Sequence, residues 1–143
     1  MEKNDSNADK AAFDRIRALT ERSIAFAPYD SRLWVLLAAN YFRTDWPNEK
    51  AVASLKMSYY TGSNTIEVVP ERLLLAIQSH ALQDDEFQEL VRHDIQIVVA
   101  RKSQLMPVLV AAYGSAPQVG RQFIEKTLAE FDPGMLAAIR PKG

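Results

Sequence analysis

The sequence predicts an all-α fold on three observations. Apolar residues recur at spacings of three and four along most of the 143 residues, as they do on one face of a helix. No stretch alternates apolar and polar residues with a sustained period of two, so no sheet is predicted. Prolines and glycines stand between the periodic stretches, where they end one helix and begin the next. The pattern predicts seven or eight helices joined by short loops.

The composition is that of an ordinary globular chain the size of one domain. Apolar residues make up 48% and charged residues 24%, which excludes global disorder and a fibrous class. The formal net charge is −1, so the basic patch that nucleic acid requires is missing. The chain has no cysteine, which excludes disulfides, thiolate metal sites and a cysteine nucleophile. The longest apolar runs, residues 33–39 and 105–113, are shorter than the about 18 residues that cross a bilayer.

The first residues predict a disordered leader followed by an amphipathic helix. Residues 1–9 are rich in Asn, Asp, Ser and Lys and offer little to bury. From residue 10 to residue 27 apolar positions recur at helical spacing, and Pro28 follows as a stop. The predicted core face of this helix comprises Phe13, Ile16, Leu19 or Thr20, Ile24 and Ala27. We expect a single helical domain over residues 10–140.

The following helices are predicted from their caps and stops. Ser31 is the predicted N-cap of a second helix over residues 32–43, because its hydroxyl can accept from the amides of the first turn. Trp46-Pro47 is predicted to begin the third helix, which Gly62 ends. A fourth helix follows Asn64 or Thr65, and a fifth runs from the segment 83–86, which contains three acidic residues, to Arg101. A sixth runs from Ser103 to Gly114, a seventh from Pro117 to Phe131, and a short last one from Asp132 to Ile139. Sequential helices joined in this way pack as antiparallel neighbours, which suits an α-solenoid or an irregular right-handed bundle equally.

Residues 28–62 resemble a known helical repeat. Pro28 is followed six residues later by Trp34, then by Leu37-Ala38 and Tyr41, and after a turn by Ala51, Leu55 and Ser58. This arrangement resembles the tetratricopeptide repeat (TPR), a helical hairpin of about 34 residues whose small and aromatic positions interlock. Residues 23–28 resemble the end of an earlier repeat. The sequence departs from the pattern in a turn one residue longer at 45–48, in Ala38 where the family favours Gly, and in the lack of a proline at Ser63.

The resemblance implies a fold and a function. The fold is a short TPR-like α-solenoid, a right-handed array of about seven helices with C-terminal capping helices. The function is that of a non-enzymatic adaptor or scaffold that binds a peptide or protein segment in a groove. The positions that match the groove are Arg32, Val35, Ala39, Phe42 and Arg43. Either the arginines hold carboxylates of a partner above an apolar floor, or Phe42 packs beneath a neighbouring helix and both arginines are solvated.

The resemblance also leaves a second function and the localisation open. The alternative function is a structural, self-associating domain of a bacterial membrane-tethered assembly. Because the first predicted helix resembles the second helix of a repeat, we expect the chain to be a soluble fragment of a longer protein, and a removed N-terminal anchor would fit. The chain as given indicates the cytoplasm, and a removed anchor would indicate the periplasm.

The sequence contains no pattern typical of catalysis or of a cofactor site. His93 and Glu89 share a helix face at a spacing of four, and His80 and Asp84 have the same spacing across a predicted helix end. Neither pair has the three or four neighbouring ligands that zinc requires, so both are interpreted as solvated surface pairs. No serine lies in a nucleophile motif, and the glycines form no phosphate-binding loop. We therefore predict no metal, no cofactor and no enzymatic activity.

Overall fold

The computed structural model describes residues 2–44 and 49–140, with the backbone alone for residues 2–4. The described residues contain eight α-helices and no strand, which confirms the all-α prediction. The helices are α1 (Glu2–Phe26), α2 (Ser31–Thr44), α3 (Glu49–Gly62), α4 (Val69–Gln78), α5 (Asp85–Ala100), α6 (Lys102–Ser115), α7 (Gln118–Phe131) and α8 (Pro133–Ile139). Short 3₁₀ segments, Ile66–Val68 and His80–Gln83, precede α4 and α5. Over this part of the chain, no helix has the length and apolar character needed to span a bilayer.

The chain divides into two compact units, Met1–Gly62 and Ser63–Gly143, which we call the N-terminal unit and the C-terminal unit. Composition alone predicted one domain over residues 10–140. The boundary falls directly after α3, where Ser63 and Asn64 are both exposed. A polar, exposed connection is the kind of place where a chain divides into units.

The first helix is longer than predicted, and fewer of its residues are buried than the apolar pattern predicted. α1 begins at Glu2, so a helix occupies residues 2–9, where a disordered leader was predicted. A helix already nucleated further along gains one hydrogen bond per added residue, even where the side chains bury nothing. On the predicted core face, Thr20 and Ile24 are buried and Phe13 is half-buried, whereas Ile16, Leu19 and Ala27 are exposed. The apolar spacing therefore predicted a wider buried face on this helix than the structure shows.

The N-terminal unit is built around the packing of α2 against α3 and of α1 against α2. Its core cluster comprises Ile24, Leu37, Tyr41 and Ala51, with Leu33, Trp34 and Phe42 packed partly buried against it. Trp34 is half-buried, and its indole nitrogen donates to the carbonyl oxygen of Pro28 at 2.8 Å. The hydrogen bond encloses the five residues between the two and fixes the chain that leads into α2. The predicted start of the third helix at Trp46-Pro47 lies outside the described residues.

The cap of α2 is Asp30 rather than the predicted Ser31. The Asp30 carboxylate accepts from the backbone amide of Arg32 at 3.0 Å. Ser31 is the first residue of α2 and is buried. Both residue types favour the N-cap position, and the local sequence does not choose between neighbours.

Each of the five α-helices described in the C-terminal unit contributes buried apolar residues. Residues with no exposed surface include Leu73, Ile77, Phe87, Val91, Ile95, Leu109, Ile124 and Leu128. In α4, Leu73, Ala76 and Ile77 are buried, and Leu74 and Leu75 are half-buried. Gly120 in α7 lies so close to α4 that an added Cβ would be 2.5 Å from the carbonyl oxygen of Ile77. The absence of a side chain at this position therefore sets how closely the two helices approach.

A fully buried ion pair joins α4 to α5 within this core. The Nε of Arg72 donates to Oδ2 of Asp94 at 2.9 Å, and its Nη2 donates to Oδ1 at 2.6 Å. Neither side chain has any exposed surface. Nη2 also donates to the carbonyl oxygen of Ser63 at 3.4 Å. This bidentate geometry satisfies both carboxylate oxygens and offsets part of the cost of removing the charges from water.

Candidate partner-binding site

The structure separates the five predicted groove residues into exposed and buried groups. Arg32 and Arg43 are exposed and Ala39 is half-buried. Val35 is only 2% exposed, so it is unavailable to a partner. Phe42 packs against the core cluster of the N-terminal unit, as the alternative interpretation of this residue held. The arginines thus remain on the surface, whereas Val35 is buried and Phe42 is half-buried against the core cluster.

Leu36 is the exposed apolar residue that the prediction missed. Its side chain is 49% exposed, and it follows Arg32 by four residues. Residues four, seven and eleven positions after Arg32 lie on one side of a helix, and here these are Leu36, Ala39 and Arg43. We call this set the α2 face. At about 1.5 Å of rise per residue, the arginine Cα atoms lie about 16 Å apart along the helix.

Arg32 begins the α2 face with an ion pair to its own helix cap. Its Nε lies 3.3 Å from Oδ1 of Asp30, and its side chain is 70% exposed. The hydrogen bonds from Arg32 hold the pKa of the Asp30 carboxyl below its usual value. Ion pairs this exposed contribute little to stability, because water competes for both groups. A carboxylate of a partner can therefore replace Asp30 at Arg32 at small cost.

Arg43 ends the α2 face beside a cleft in the N-terminal unit. The cleft has a volume of about 660 Å³, and its lining includes Lys10, Phe13, Arg17 and Arg43 together with the acidic Asp9 and Asp14. The lining carries both signs of charge, so it favours neither anions nor cations strongly.

The floor of this cleft is fixed by a polar clamp between α1 and α2. The Nε of Arg17 donates to Oδ1 of Asn40 at 2.8 Å, and a second guanidinium nitrogen donates to the hydroxyl of Thr44. The amide nitrogen of Asn40 donates to the carbonyl oxygen of Phe13 at 2.9 Å. The guanidinium carbon of Arg17 lies 4.2 Å from the centre of the Tyr41 ring. Arg17 thus holds the two helices together by hydrogen bonds and a cation–π contact.

The exposed large hydrophobic residues are concentrated in the N-terminal unit. Within the described residues they are Ile16, Leu19, Phe26, Tyr29, Leu36 and Tyr60 in that unit, and Val110 and Val119 in the C-terminal unit. Clustered exposed apolar side chains are costly to solvate and mark surfaces that meet another molecule. The spacing predicted Ile16 on the buried face of the first helix, with Leu19 as an alternative to Thr20, and it predicted no exposed apolar surface in this unit.

His93 and Glu89 each have a partner other than one another. Nε2 of His93 lies 3.0 Å from Oδ1 of Asn64. Glu89 instead forms an ion pair with Arg92 at 3.5 Å. His80 lies in a 3₁₀ segment, while the Asp84 carboxylate caps α5 by accepting from the amide of Phe87 at 3.3 Å. Within residues 2–44 and 49–140 no three His, Cys, Asp or Glu side chains are grouped as a metal site requires.

Comparisons with protein-family models, with curated proteins and with solved structures found no match to this chain. The TPR resemblance of residues 28–62 therefore stays a prediction. What can be argued about function comes from the surface of the N-terminal unit.

Proposed function

We propose that this chain is a non-enzymatic protein-interaction module and that its N-terminal unit binds a segment of another protein. The observation that carries the proposal is the concentration of exposed large hydrophobic side chains in that unit, among them Leu36, Phe26 and Tyr29. A module that binds no partner gains nothing from keeping such side chains in water.

The α2 face supplies one set of contacts for such a segment. Leu36 and Ala39 offer apolar contact between Arg32 and Arg43, and each guanidinium can hold a carboxylate with two parallel hydrogen bonds. The spacing of the arginines, about 16 Å, matches about five residues of an extended peptide. The TPR resemblance supports the same proposal, because it assigns groove contacts to the first helix of the hairpin, here α2.

The experiment is affinity capture from the source cells, with the intact chain as bait and mass spectrometry as the readout. The test variant is Arg32→Glu with Arg43→Glu. Its matched control is Arg101→Glu with Lys126→Glu, which changes the net charge equally at exposed positions of the C-terminal unit. We expect the control to retain the partner and the test variant to lose it, while both keep the helicity of the wild type. A partner retained by both variants would overturn the assignment to the α2 face.

The exposed apolar residues also support a second candidate, a structural domain that associates with its own copies. Sedimentation velocity over a range of concentrations separates the two functions. A protein that stays monomeric and captures other proteins fits an adaptor. A protein that dimerises and captures only itself fits the structural alternative, and Leu36→Ser should then weaken the dimer.

A further inference from the structure

We propose that the outer side of α1 is a docking seam for an amphipathic helix of another protein that carries acidic residues beside its apolar positions. The inference rests on the proposed function and names the kind of partner. The outer seam comprises Ile16, Leu19, Ser23 and Phe26, at successive spacings of three, four and three.

The seam lies on a different side of α1 from the residues that pack within the N-terminal unit. Thr20 and Ile24 are buried, whereas Leu19 is 59% exposed and Phe26 is 91% exposed. α1 therefore carries two apolar stripes, and only one of them is used by the fold. At the N-terminal end of the seam stand Ala8 and Ala12, whose small side chains permit a close approach of a second helix.

The shape of the seam favours a helical partner over a membrane surface. Spacings of three and four within seven residues produce the narrow stripe that pairs helices by knobs-into-holes packing. A helix that lies in a membrane interface presents a wide apolar face with a basic polar side. The exposed polar residues of α1 include Asp14 and Glu21 as well as Arg15 and Arg22, so α1 lacks the consistently basic polar side of such a helix.

The charges beside the seam favour an acidic partner over a second copy of this chain. Arg15 and Arg22, seven residues apart, are exposed and flank the seam on one side. The flanking positions on the other side, Thr20 and Ala27, carry no charge. An antiparallel pair of α1 helices would place arginines against arginines, and a parallel pair would place them against uncharged residues. A partner with Glu or Asp at its flanking positions complements both arginines.

The test measures binding of two synthetic helical peptides to the intact chain by isothermal titration calorimetry. Both peptides carry four heptads with Leu at the seam positions, and they differ in having Glu or Lys at the flanking positions. We expect the Glu peptide to bind at least about tenfold more tightly than the Lys peptide at low salt. In Arg15→Glu with Arg22→Glu this order should reverse, while Arg101→Glu with Lys126→Glu should keep the order of the wild type.

Each other outcome overturns the inference, and some leave the proposed function standing. Equal binding of both peptides, weakened in each case by Leu19→Ser, would show apolar docking without charge selection. Binding of neither peptide, while affinity capture still yields a partner sensitive to the α2 face, would move the interaction away from α1. Binding to phosphatidylglycerol vesicles in place of either peptide would identify a membrane surface. Dimerisation abolished by Leu19→Ser would identify a second copy as the occupant.

Discussion

The two units of this chain use their apolar residues differently. In the C-terminal unit most large apolar side chains are buried, and Val110 and Val119 are the exposed exceptions among the described residues. In the N-terminal unit the small cluster around Ile24, Leu37 and Tyr41 is accompanied by exposed Leu19 and Phe26. The C-terminal unit therefore buries most of its large apolar residues in a core, whereas the N-terminal unit leaves several of them exposed to solvent.

The polar contacts between helices are also more deeply buried in the C-terminal unit than in the N-terminal unit. The C-terminal unit buries the bidentate pair of Arg72 and Asp94 inside an apolar core. In the N-terminal unit α1 is joined to α2 by Arg17 and Asn40, in hydrogen bonds that are only partly buried. Hydrogen bonds near water hold two helices together less strongly than a buried core does, because water competes for their donors and acceptors. We therefore expect α1 to be the helix whose position is most easily changed by a partner.

The largest expected effect is the loss of the buried ion pair. Arg72→Met should lower the free energy of unfolding by about 3–5 kcal/mol, because the buried carboxyl group of Asp94 would lose its partner. Arg72→Met with Asp94→Leu should recover much of that loss. Urea unfolding followed by circular dichroism measures both. Arg92→Met, which removes a partly exposed arginine paired with Glu130, is the control and should cost far less. Equal losses at Arg72 and Arg92 would show that burial does not distinguish the two pairs.

The next effect tests the close packing of α4 and α7. Gly120→Ala should destabilise by about 3 kcal/mol, because its Cβ would meet backbone at 2.5 Å and the helices must separate. Gly114→Ala is the matched control, since a Cβ there meets nothing within 4 Å. Gly114→Ala should raise the free energy of unfolding by about 0.5–1 kcal/mol, because alanine has a higher helix propensity than glycine. Thermal unfolding of both variants gives the comparison, and similar melting temperatures would contradict the close approach of the helices.

The polar clamp of the N-terminal unit should give a smaller effect confined to α1. Asn40→Leu removes the side-chain oxygen that accepts from Arg17 and the side-chain nitrogen that donates to Phe13. The free energy of unfolding should fall by about 1–2 kcal/mol. Hydrogen exchange measured by mass spectrometry should show faster exchange in α1 and unchanged exchange in α5. Gln96→Leu, at an exposed position of α5, is the control. Faster exchange in every helix would mean that the clamp supports more than α1.

The smallest effect is a dependence on pH at the start of α8. Lys102 donates to Asp132 at 2.9 Å and holds the pKa of that carboxyl below its ordinary value of 3.8. Because the folded-state pKa is lowered, the stabilisation is present above 3.8 and is lost as the pH falls through the folded-state pKa. Wild type and Asp132→Asn should therefore differ in urea midpoint at neutral pH and converge in acid. A difference that does not change with pH would exclude this ion pair as its cause.

The helices could be predicted from the sequence, because their signals are local. The acidic residues before Phe87 predicted the start of α5, and Asp84 is its cap. Asp132 likewise caps α8, where its carboxylate accepts from the amide of Met135 at 3.3 Å. Spacing also predicted the face of α2 that carries Leu37 and Tyr41, both of which are buried. In each case the deciding residues lie within a few positions of one another.

The buried pair and the exposed surface could not be predicted in this way. Arg72 and Asp94 are 22 residues apart in sequence, and no local pattern links them. The choice between Val35 and Leu36 depends on which side of α2 is covered by other helices, and the spacing within one helix does not show where those helices lie. The same limit applied to Ile16, which was predicted in the core and is exposed, and to the alternative of Leu19 or Thr20, of which Thr20 is buried.

The most direct test of the account places a photo-crosslinking amino acid at one exposed apolar position in each unit, in the cells that make this protein. Leu19 at 59% exposed and Val119 at 50% exposed are a matched pair of positions in α1 and α7. The account predicts crosslinks from position 19 to another protein and none from position 119. Crosslinks of equal yield from both positions, or crosslinks from position 119 alone, would contradict the claim that the N-terminal unit is the binding part of this chain.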